Sequence, residues 1–264
     1  MSKLGKALDK ARMERALESP PEPELPPEKP EGGSGRFKPR VAGKQTCVQV
    51  PRQENLEAHR ILSAFSDQNL HDAYNLLRTQ FLQKTRAQGW NTIMVTSALP
   101  CEGKTTTTIN LGLSIAREAM QTALLVDTSL RNPTLDRILD LSCSRGLSDY
   151  LLNGAALRDL LINPSQDNFV VLPAGRAIQG STDILSSPKM KELVQELKNR
   201  YSDRYILFDC PHVLDMPDSL IFASYVDAVL LVVEAGRTPR DTIQTALNTL
   251  KNSNVVGLVL NKKR

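Results

Sequence analysis

The residues best suited to chemistry in this sequence are Gly103, Lys104 and Thr105, which follow the apolar run 91–96 after a short loop. Set between a strand and a helix, they direct backbone N–H groups, an ammonium group and the positive helix end at one point. Such a loop binds nucleotide phosphates: the glycine lets the backbone approach, the lysine reaches the β- and γ-phosphates, and the hydroxyl binds Mg²⁺. Ala98 replaces the first glycine of the usual pattern, so a chance Gly-Lys-Thr turn is the alternative.

Two aspartates stand at the ends of later apolar runs. Asp127 closes the run TALLVD, and Asp209 closes the run YILFD. Phosphoryl transfer needs carboxylates that hold Mg²⁺ or orient the attacking group, and strand ends beside a phosphate loop can supply them. An isolated strand-end aspartate is more often a helix cap or a turn residue. Because a phosphate loop accompanies them, we assign Asp209 to the Walker-B role and Asp127 to a second carboxylate near Mg²⁺ or the attacking group.

Alternating apolar runs and helical segments must position these residues. The segment 105–118 has apolar residues at helical spacing, and apolar runs of strand length recur along the chain. Strands that are apolar along their whole length predict a parallel sheet covered by helices on both faces. The sequence therefore predicts an α/β fold of the P-loop NTPase class with a mostly parallel sheet. The predicted strands are 91–96, 122–127, 169–172, 205–209, 228–234 and 255–261.

Four motifs and the last apolar run resemble those of a known family, the bacterial tyrosine kinases of capsular and exopolysaccharide systems. The family's patterns are P-G-E-G-K-[ST], L-[IV]-D-x-D-L-R-x-P, L-P-A-G and D-x-P-P. The resemblance extends over about residues 72–261. The sequence is similar to the tyrosine autokinases of exopolysaccharide loci. The matching segments are PCEGKT at 100–105, LVDTSLRNP at 125–133, LPAG at 172–175 with Met190, FDCP at 208–211 with Asp218, and GLVLN at 257–261.

The resemblance implies a role for each matching residue. It implies catalytic roles for Lys104, Asp127 and Asp209, and magnesium ligands at Thr105, Asp127 and Asp209. ATP and Mg²⁺ are the implied cofactors, and transfer of phosphate to protein tyrosine is the implied activity. The residues implied in ATP binding are Cys101, Glu102, Gly103, Lys104, Thr105, Thr106, Arg131, which would lie beside the two carboxylates, and Asn261, which would lie by the adenine.

Three residues depart from the family's patterns. Ser129 replaces the second aspartate of D-x-D, Cys101 replaces the glycine before Glu102, and His212 replaces the second proline of D-x-P-P. A lost acid–base group lowers a rate by about 10²- to 10⁴-fold, so we expect activity to be low or absent. We interpret His212 as a neutral surface histidine. The Cys101 thiol is either inert or makes nucleotide binding sensitive to oxidation.

The family's autokinases also carry a C-terminal run of tyrosines, which enters a neighbour's active site. No tyrosine follows Asn261 in this sequence, and the 5 tyrosines stand singly, mostly within apolar patterns. Three alternatives stay open. The protein phosphorylates another chain, or it uses ATP as a conformational ligand for assembly, or the tail lies outside this sequence.

The segment before the first predicted strand bears on oligomerisation. The family carries E-x-x-R-x-x-R there and uses it to pack subunits into rings. In the corresponding segment 72–80, Arg78 alone remains of that charge pattern. Ion pairing of that kind is therefore weakened. A homo-oligomer and an ordinary amphipathic surface helix are the two alternatives.

Three regions are predicted along the chain. Residues 1–18 form an amphipathic helix or arm, because apolar positions share one face with lysines nearby. Residues 19–60 form a linker, since the run SPPEPELPPEKP is followed by GGSG. Residues 61–264 form the ATP-binding, kinase-like domain. The arm either docks on a partner or an anionic membrane, or is a solvated, partly disordered segment.

Composition excludes several other classes of function. The formal net charge of +4 is small for 264 residues, and no recognition motif supports nucleic-acid binding. The sequence has no apolar stretch of about 18 residues and no signal-peptide pattern, so we expect no transmembrane segment and a cytoplasmic location. Membrane contact would come through a partner at the inner face of the plasma membrane. The four cysteines, Cys47, Cys101, Cys143 and Cys210, fit free thiols in a reducing compartment.

These observations leave three hypotheses about function. The first is an ATP-dependent tyrosine kinase that supports exopolysaccharide polymerisation or export with a membrane-bound co-polymerase of the chain-length regulator type. The second is a catalytically weak, ATP-dependent assembly module of the same system, which Ser129 and the missing tyrosine tail favour. The third is a partitioning-type ATPase. It is disfavoured because Leu99 occupies the place of the signature lysine of that class.

Overall fold

The computed structural model describes residues 47–200 and 204–262. The predicted arm, 1–18, and most of the predicted linker lie outside these ranges. Of the range 19–60, residues 47–60 are described, and they contain the short strand β1 (Cys47–Val48) and helix α1 (Gln53–Ala58). Leu56 of α1 is buried in the core. Residues 47–60 therefore contribute to the packed domain, although the composition assigned them to the linker.

Strands and helices alternate through the rest of the described chain, as the apolar pattern predicted. All six predicted strands form, and the pattern missed two short ones, β1 and β4. The further strands are β2 (Thr92–Ser97), β3 (Thr122–Asp127), β4 (Ile162–Asn163), β5 (Phe169–Leu172), β6 (Arg204–Asp209), β7 (Ala228–Glu234) and β8 (Val255–Asn261). The further helices are α2 (Gln68–Arg86), α3 (Lys104–Ala116), α4 (Leu135–Ile138), α5 (Leu147–Asn153), α6 (Ser181–Leu185), α7 (Pro188–Arg200), α8 (Pro217–Ala223) and α9 (Arg240–Thr249), with a 3₁₀ turn at Leu157–Asp159.

One sheet organises the described residues. Its strand order is β1-β4-β5-β3-β6-β2-β7-β8, and every neighbouring pair is parallel except β4 and β5. Every residue of β2, β3 and β6 is buried, because these central strands are covered by helices on both faces. The predicted α/β fold of the P-loop NTPase class with a mostly parallel sheet is confirmed. Within the described ranges, no helix combines the length and the apolar character needed to cross a bilayer.

The strand order brings the predicted motifs together. Strands β3, β6 and β2 are consecutive in the sheet, so the phosphate loop after β2 lies beside the ends of the two aspartate-bearing strands. Asp127 and Asp209 are direct partners in the register of β3 and β6. Because ligands of such sheets bind beyond the carboxyl ends of the strands, this edge is where a site is expected.

The segment 47–58 is fastened to the chain around α4 by polar contacts. The Gln49 amide and the Ser142 backbone exchange two hydrogen bonds, of 2.8 and 3.2 Å. Arg52 makes a bidentate ion pair with Asp140, with Nε 2.7 Å from Oδ2 and Nη2 2.8 Å from Oδ1. The hydrogen bonds from Arg52 lower the pKa of the Asp140 carboxyl to about 2. The Asn55 amide donates to two backbone carbonyls at the end of α4. Side chains of one segment therefore satisfy the backbone of the other.

Helix α3 approaches the sheet closely at Gly112. A Cβ atom at this position would lie 2.5 Å from Leu125 Cδ1 and 2.8 Å from Phe169 Cε2. Both distances are shorter than carbon atoms tolerate. The glycine therefore sets how close the helix that follows the phosphate loop comes to β3 and β5.

Replacing Gly112 with valine should lower the free energy of unfolding by about 1–3 kcal/mol, because overpacking against Leu125 and Phe169 outweighs the better helix propensity of valine over glycine. Gly257→Val is the matched control, because a Cβ atom at Gly257 meets nothing within 4 Å and valine suits a strand. Urea unfolding of the two variants measures the difference. Equal stability of the two variants would show that the close approach at Gly112 does not limit packing.

Candidate functional site

The loop between β2 and α3 contains two residues with left-handed backbone conformations. Gly103 has φ of 89° and Cys101 has φ of 64°. Only glycine adopts this region without strain, so the family's glycine at the place of Cys101 has a physical reason. A Cβ atom on Gly103 would lie 2.1 Å from Asn261 Nδ2. The loop thus needs glycine at Gly103 for two reasons and holds Cys101 under backbone strain.

The Glu102 side chain stabilises the loop by accepting hydrogen bonds. It is buried, and its Oε2 accepts a hydrogen bond of 2.8 Å from the Leu99 N–H. Its Oε1 accepts hydrogen bonds from the Thr238 hydroxyl and, at 3.4 Å, from the Glu234 N–H. The Glu102 carboxylate is therefore occupied by the protein. The ATP-binding role predicted for Glu102 stays a prediction.

Residues at the end of β8 donate hydrogen bonds to the same loop. Asn261 Nδ2 donates to the Glu102 carbonyl at 2.9 Å. Lys262 Nζ donates to the Cys101 carbonyl at 2.6 Å and pairs with Glu234 at 3.1 Å. Asn261 was predicted to lie by the adenine; its side chain contacts the phosphate loop, and the adenine contact stays a prediction. The contact of Lys262 was missed by sequence reasoning. A lysine at the end of a strand gives no signal of such a contact.

Lys104, Thr105 and Asp209 form one hydrogen-bonded group. The Thr105 hydroxyl donates to Asp209 Oδ2 at 2.7 Å, and Lys104 Nζ lies 3.4 Å from both Asp209 oxygens. Lys104 Nζ also donates to Thr105 Oγ1 at 3.0 Å. The Asp209 side chain is fully buried. A buried carboxylate needs a counter-charge, and the lysine ammonium supplies it.

Two further threonines join this group. Thr108 Oγ1 is 3.5 Å from Asp209 Oδ1, and Thr134 Oγ1 is 3.4 Å from Thr105 Oγ1. Sequence reasoning missed both of them. Thr108 lies one helical turn after Lys104, so helical spacing could have indicated it. Thr134 lies after β3, and nothing in its local sequence indicates the contact. Thr106, predicted to bind ATP, is half-buried in the first turn of α3.

Asp127 is held by backbone N–H groups. Its Oδ1 accepts from Ser129 at 2.8 Å, and its Oδ2 accepts from Thr134 and Leu135, both at 3.3 Å. Burial, together with the charge of Asp209, raises the pKa of Asp127 to about 7. A buried carboxyl group with such a pKa can take up or release a proton near neutral pH.

The Ser129 side chain is buried beside this aspartate. Its Oγ has no hydrogen-bond partner among the described residues. The backbone N–H of Ser129 still donates to Asp127, as noted above. The substitution of serine for the family's aspartate therefore leaves a buried, uncharged hydroxyl in a site that keeps its backbone geometry.

Arg131 contacts residues other than the two carboxylates beside which it was predicted to lie. Its Nε donates to Ser181 Oγ at 2.7 Å, and its Nη2 donates to Thr182 Oγ1 at 2.9 Å. The guanidinium also pairs with the buried carboxylate of Asp218 at 3.5 Å. The structure gives no hydrogen bond between Arg131 and Asp127 or Asp209 within the described residues.

His212 and the four cysteines were also singled out in the sequence. His212, interpreted as a neutral surface histidine, is half-buried, and burial lowers the pKa of its imidazole, which favours the neutral form. The four cysteines are free, as expected. Cys101 is exposed, and Cys210 is fully buried, which raises the pKa of its thiol.

The oxygen donors at this edge fit a hard cation. Two carboxylates and the Thr105 hydroxyl converge, and Mg²⁺ binds such oxygens while keeping several waters or phosphate oxygens. No cluster of three or more His, Cys, Asp or Glu side chains that could hold a metal occurs within 47–200 and 204–262. The donor set therefore suits a cation held jointly with a nucleotide better than a closed protein cage.

Comparison with known proteins gives consistent matches. Residues 91–258 match the family described as AAA domain. The tyrosine-protein kinase CpsD of Streptococcus agalactiae is 30% identical over 194 residues, which cover 72% of this chain and 82% of that protein. The succinoglycan biosynthesis transport protein ExoP of Rhizobium meliloti is 32% identical over 175 residues, 64% of this chain and 22% of that protein. The crystal structure of the VpsO kinase domain has a TM-score of 0.67 and 32% identity, covering 76% of this chain and all (100%) of that one.

The strain at Cys101 predicts a gain in stability. Cys101→Gly should raise the free energy of unfolding by about 0.5–1 kcal/mol, because relief of the left-handed strain exceeds the extra backbone entropy of glycine. Cys101→Ala removes the thiol and keeps the strain, so it should leave stability near that of the native sequence. Thermal and urea unfolding compare the three proteins. A gain of the same size in the alanine variant would assign the effect to the thiol.

Proposed function

Since this chain belongs to the bacterial tyrosine kinases of capsular and exopolysaccharide systems, we propose that it binds ATP with Mg²⁺ and transfers the γ-phosphoryl group to a tyrosine hydroxyl. The observation that carries the proposal is the group at the carboxyl ends of β2, β3 and β6. There Lys104, Thr105 and Asp209 are hydrogen-bonded to one another, and Asp127 lies next to Asp209. A charged loop lysine, a hydroxyl and two carboxylates are the parts that phosphoryl transfer requires.

In this proposal the residues bind phosphate, hold Mg²⁺ or take up a proton. The loop N–H groups and the Lys104 ammonium bind the phosphate oxygens. Thr105 and Asp209, with Asp127, hold Mg²⁺, which supplies positive charge against the phosphates when bound. Lys104 Nζ, which lies 3.4 Å from both Asp209 oxygens, would exchange this contact for the phosphates of the nucleotide.

Asp127 is the residue suited to accept the phenolic proton. It is buried, and burial together with the charge of Asp209 raises its pKa, which is the direction that suits a general base near neutral pH. The backbone N–H groups of Ser129, Thr134 and Leu135 fix its two oxygens. A carboxylate held in this way transfers a proton without having to reorganise first.

The biological setting is proposed from relatives. ExoP is named for succinoglycan biosynthesis and transport, and this chain matches about a fifth of it (22%). We therefore place this chain in exopolysaccharide biosynthesis or export, in the cytoplasm, beside a membrane-bound co-polymerase or chain-length regulator. The engagement of Arg78 within its own chain, through the Ser114 carbonyl at 2.9 Å, gives no support to an interface built on that residue.

A second candidate is a nucleotide-gated assembly module with little chemistry. The uncharged, unpartnered hydroxyl of Ser129 favours it, because the family has a carboxylate at that place. A partitioning-type ATPase remains disfavoured, since Leu99 occupies the place of the signature lysine.

Replacing Lys104 with methionine should weaken ATP binding at least about tenfold, because charge-assisted hydrogen bonds to the phosphates are lost. Lys251→Met, at an exposed site far along the chain, is the matched control and should bind ATP normally. Equilibrium binding with Mg²⁺ and incorporation of γ-labelled phosphate into a tyrosine-containing peptide measure the two steps. Tight binding without label favours the assembly module, and absence of binding in the native sequence refutes the phosphate-loop assignment.

Restoring the acidic residue tests the chemistry separately. Ser129→Asp should raise the rate of phosphate transfer to tyrosine by about 10²-fold or more, because an acid–base or metal-binding carboxylate returns beside Asp127. Ser129→Ala should leave the rate unchanged, and both variants should bind ATP. Single-turnover kinetics with saturating Mg²⁺ give the rates, and thermal unfolding checks that both variants fold. A rate that does not respond to Ser129→Asp would show that the serine is not what limits transfer.

A further inference from the structure

Asp218 is a buried carboxylate that the proposed reaction does not use. It is fully buried at the start of α8, and both of its oxygens are engaged. Oδ2 accepts from Ser181 Oγ at 2.5 Å, and Oδ1 accepts from the Thr182 hydroxyl. Its charge partner is Arg131, at 3.5 Å. A buried charge is stable only when it is paired and hydrogen-bonded, so these residues form one unit, which we call the Asp218 cluster.

Through Arg131, the Asp218 cluster touches the loop that holds Asp127. Arg131 lies in the middle of the loop 128–134, and the two ends of this loop supply the N–H groups that bind Asp127. Beside Arg131, the Leu130 carbonyl accepts from the Ile178 N–H at 2.9 Å. The loop is therefore fixed at its ends by Asp127 and at its apex by the segment 178–182 and Asp218.

We propose that Asp218 is a positioning residue, which acts through Arg131 to hold the 128–134 loop in the form that binds Asp127 and so sets the affinity of the site for Mg²⁺. This inference rests on the proposed function. Removing the Asp218 charge by an amide leaves Arg131 without its counter-charge and one of the two hydroxyls without its acceptor. The loop then gains freedom, and the N–H groups of Ser129 and Thr134 no longer fix the Asp127 oxygens.

Three variants remove different parts of the Asp218 cluster. Asp218→Asn removes the charge at constant shape, Arg131→Gln removes the opposite charge, and Thr182→Val removes one hydroxyl from a half-buried position. Asp227→Asn is the matched control, because Asp227 is also a nearly buried carboxylate but binds the backbone at the start of β2, at the opposite end of the sheet. It should lower stability without changing the site.

The first measurement needs no nucleotide. Amide hydrogen exchange over residues 128–135 should become at least about tenfold faster in the three cluster variants and stay unchanged in Asp227→Asn, because exchange reports local opening. The second measurement is the Mg²⁺ concentration that gives half-maximal ATP binding. It should rise by about 10- to 100-fold in the cluster variants, as is typical when partners of metal ligands are removed, and not in the control.

The outcomes distinguish failure of the positioning role from failure of the proposed function. If the native sequence binds ATP with Mg²⁺ but the variants leave both the exchange and the Mg²⁺ midpoint unchanged, the positioning role is wrong and the proposed function stands. If Asp227→Asn shifts the midpoint as much, the effect is general destabilisation and the positioning role is also wrong. If exchange accelerates in the variants but the native sequence does not bind ATP, the loop coupling holds and the proposed function fails. Thr182→Val keeps the test decisive should Asp218→Asn not fold.

Discussion

Two carboxylates at the ends of adjacent parallel strands are the constraint on which the rest of the site depends. Asp127 and Asp209 face each other in the register of β3 and β6, and both are fully buried. Like charges in a medium of low polarity repel strongly, so both groups can be ionised only if donors and cations surround them. The chain meets this requirement differently for each. Asp209 receives an ammonium and hydroxyl groups, whereas Asp127 receives three backbone N–H groups and keeps a raised pKa.

This difference explains why so much of the surrounding structure serves to hold loops. Backbone N–H groups bind Asp127 only while the 128–134 loop keeps its shape, and Arg131 ties that loop to Asp218. The phosphate loop is held in the same manner, by the buried Glu102 carboxylate from within and by the Asn261 amide from outside. Charged and amide side chains that the sequence suggested as ATP ligands thus mainly hold these two loops in place. They leave N–H groups as the surface that a nucleotide would meet.

The sequence predicts the central part of this structure well, because long apolar runs ending in polar residues have few alternatives in an α/β protein. The strands that end at Asp127 and Asp209 and the helix after Gly103 all form where the pattern placed them. The strand order and the edge strands could not be read from local pattern, since β1 and β4 have only two residues each and depend on pairing with distant segments. Composition also placed residues 47–60 in a linker, although side-chain contacts to the chain around α4 fasten them to the domain. Contacts such as Arg131 with Asp218 join residues 87 positions apart, and no local signal reveals them.

Two of the three departures from the family's motifs, at positions 101 and 129, affect different properties of the site. At position 101 the backbone adopts the left-handed conformation that glycine would take, so the loop keeps its shape at the cost of local strain. At position 129 the backbone N–H still binds Asp127, so the loop geometry survives while a negative charge is absent. Neither departure removes a backbone donor from the site. Nucleotide binding at such loops relies on backbone N–H groups and the lysine, whereas proton transfer and metal binding rely on carboxylates. The proposed function therefore separates the two: the loop N–H groups and Lys104 are in place for binding, and the proposed chemistry would rest on the carboxylates Asp127 and Asp209.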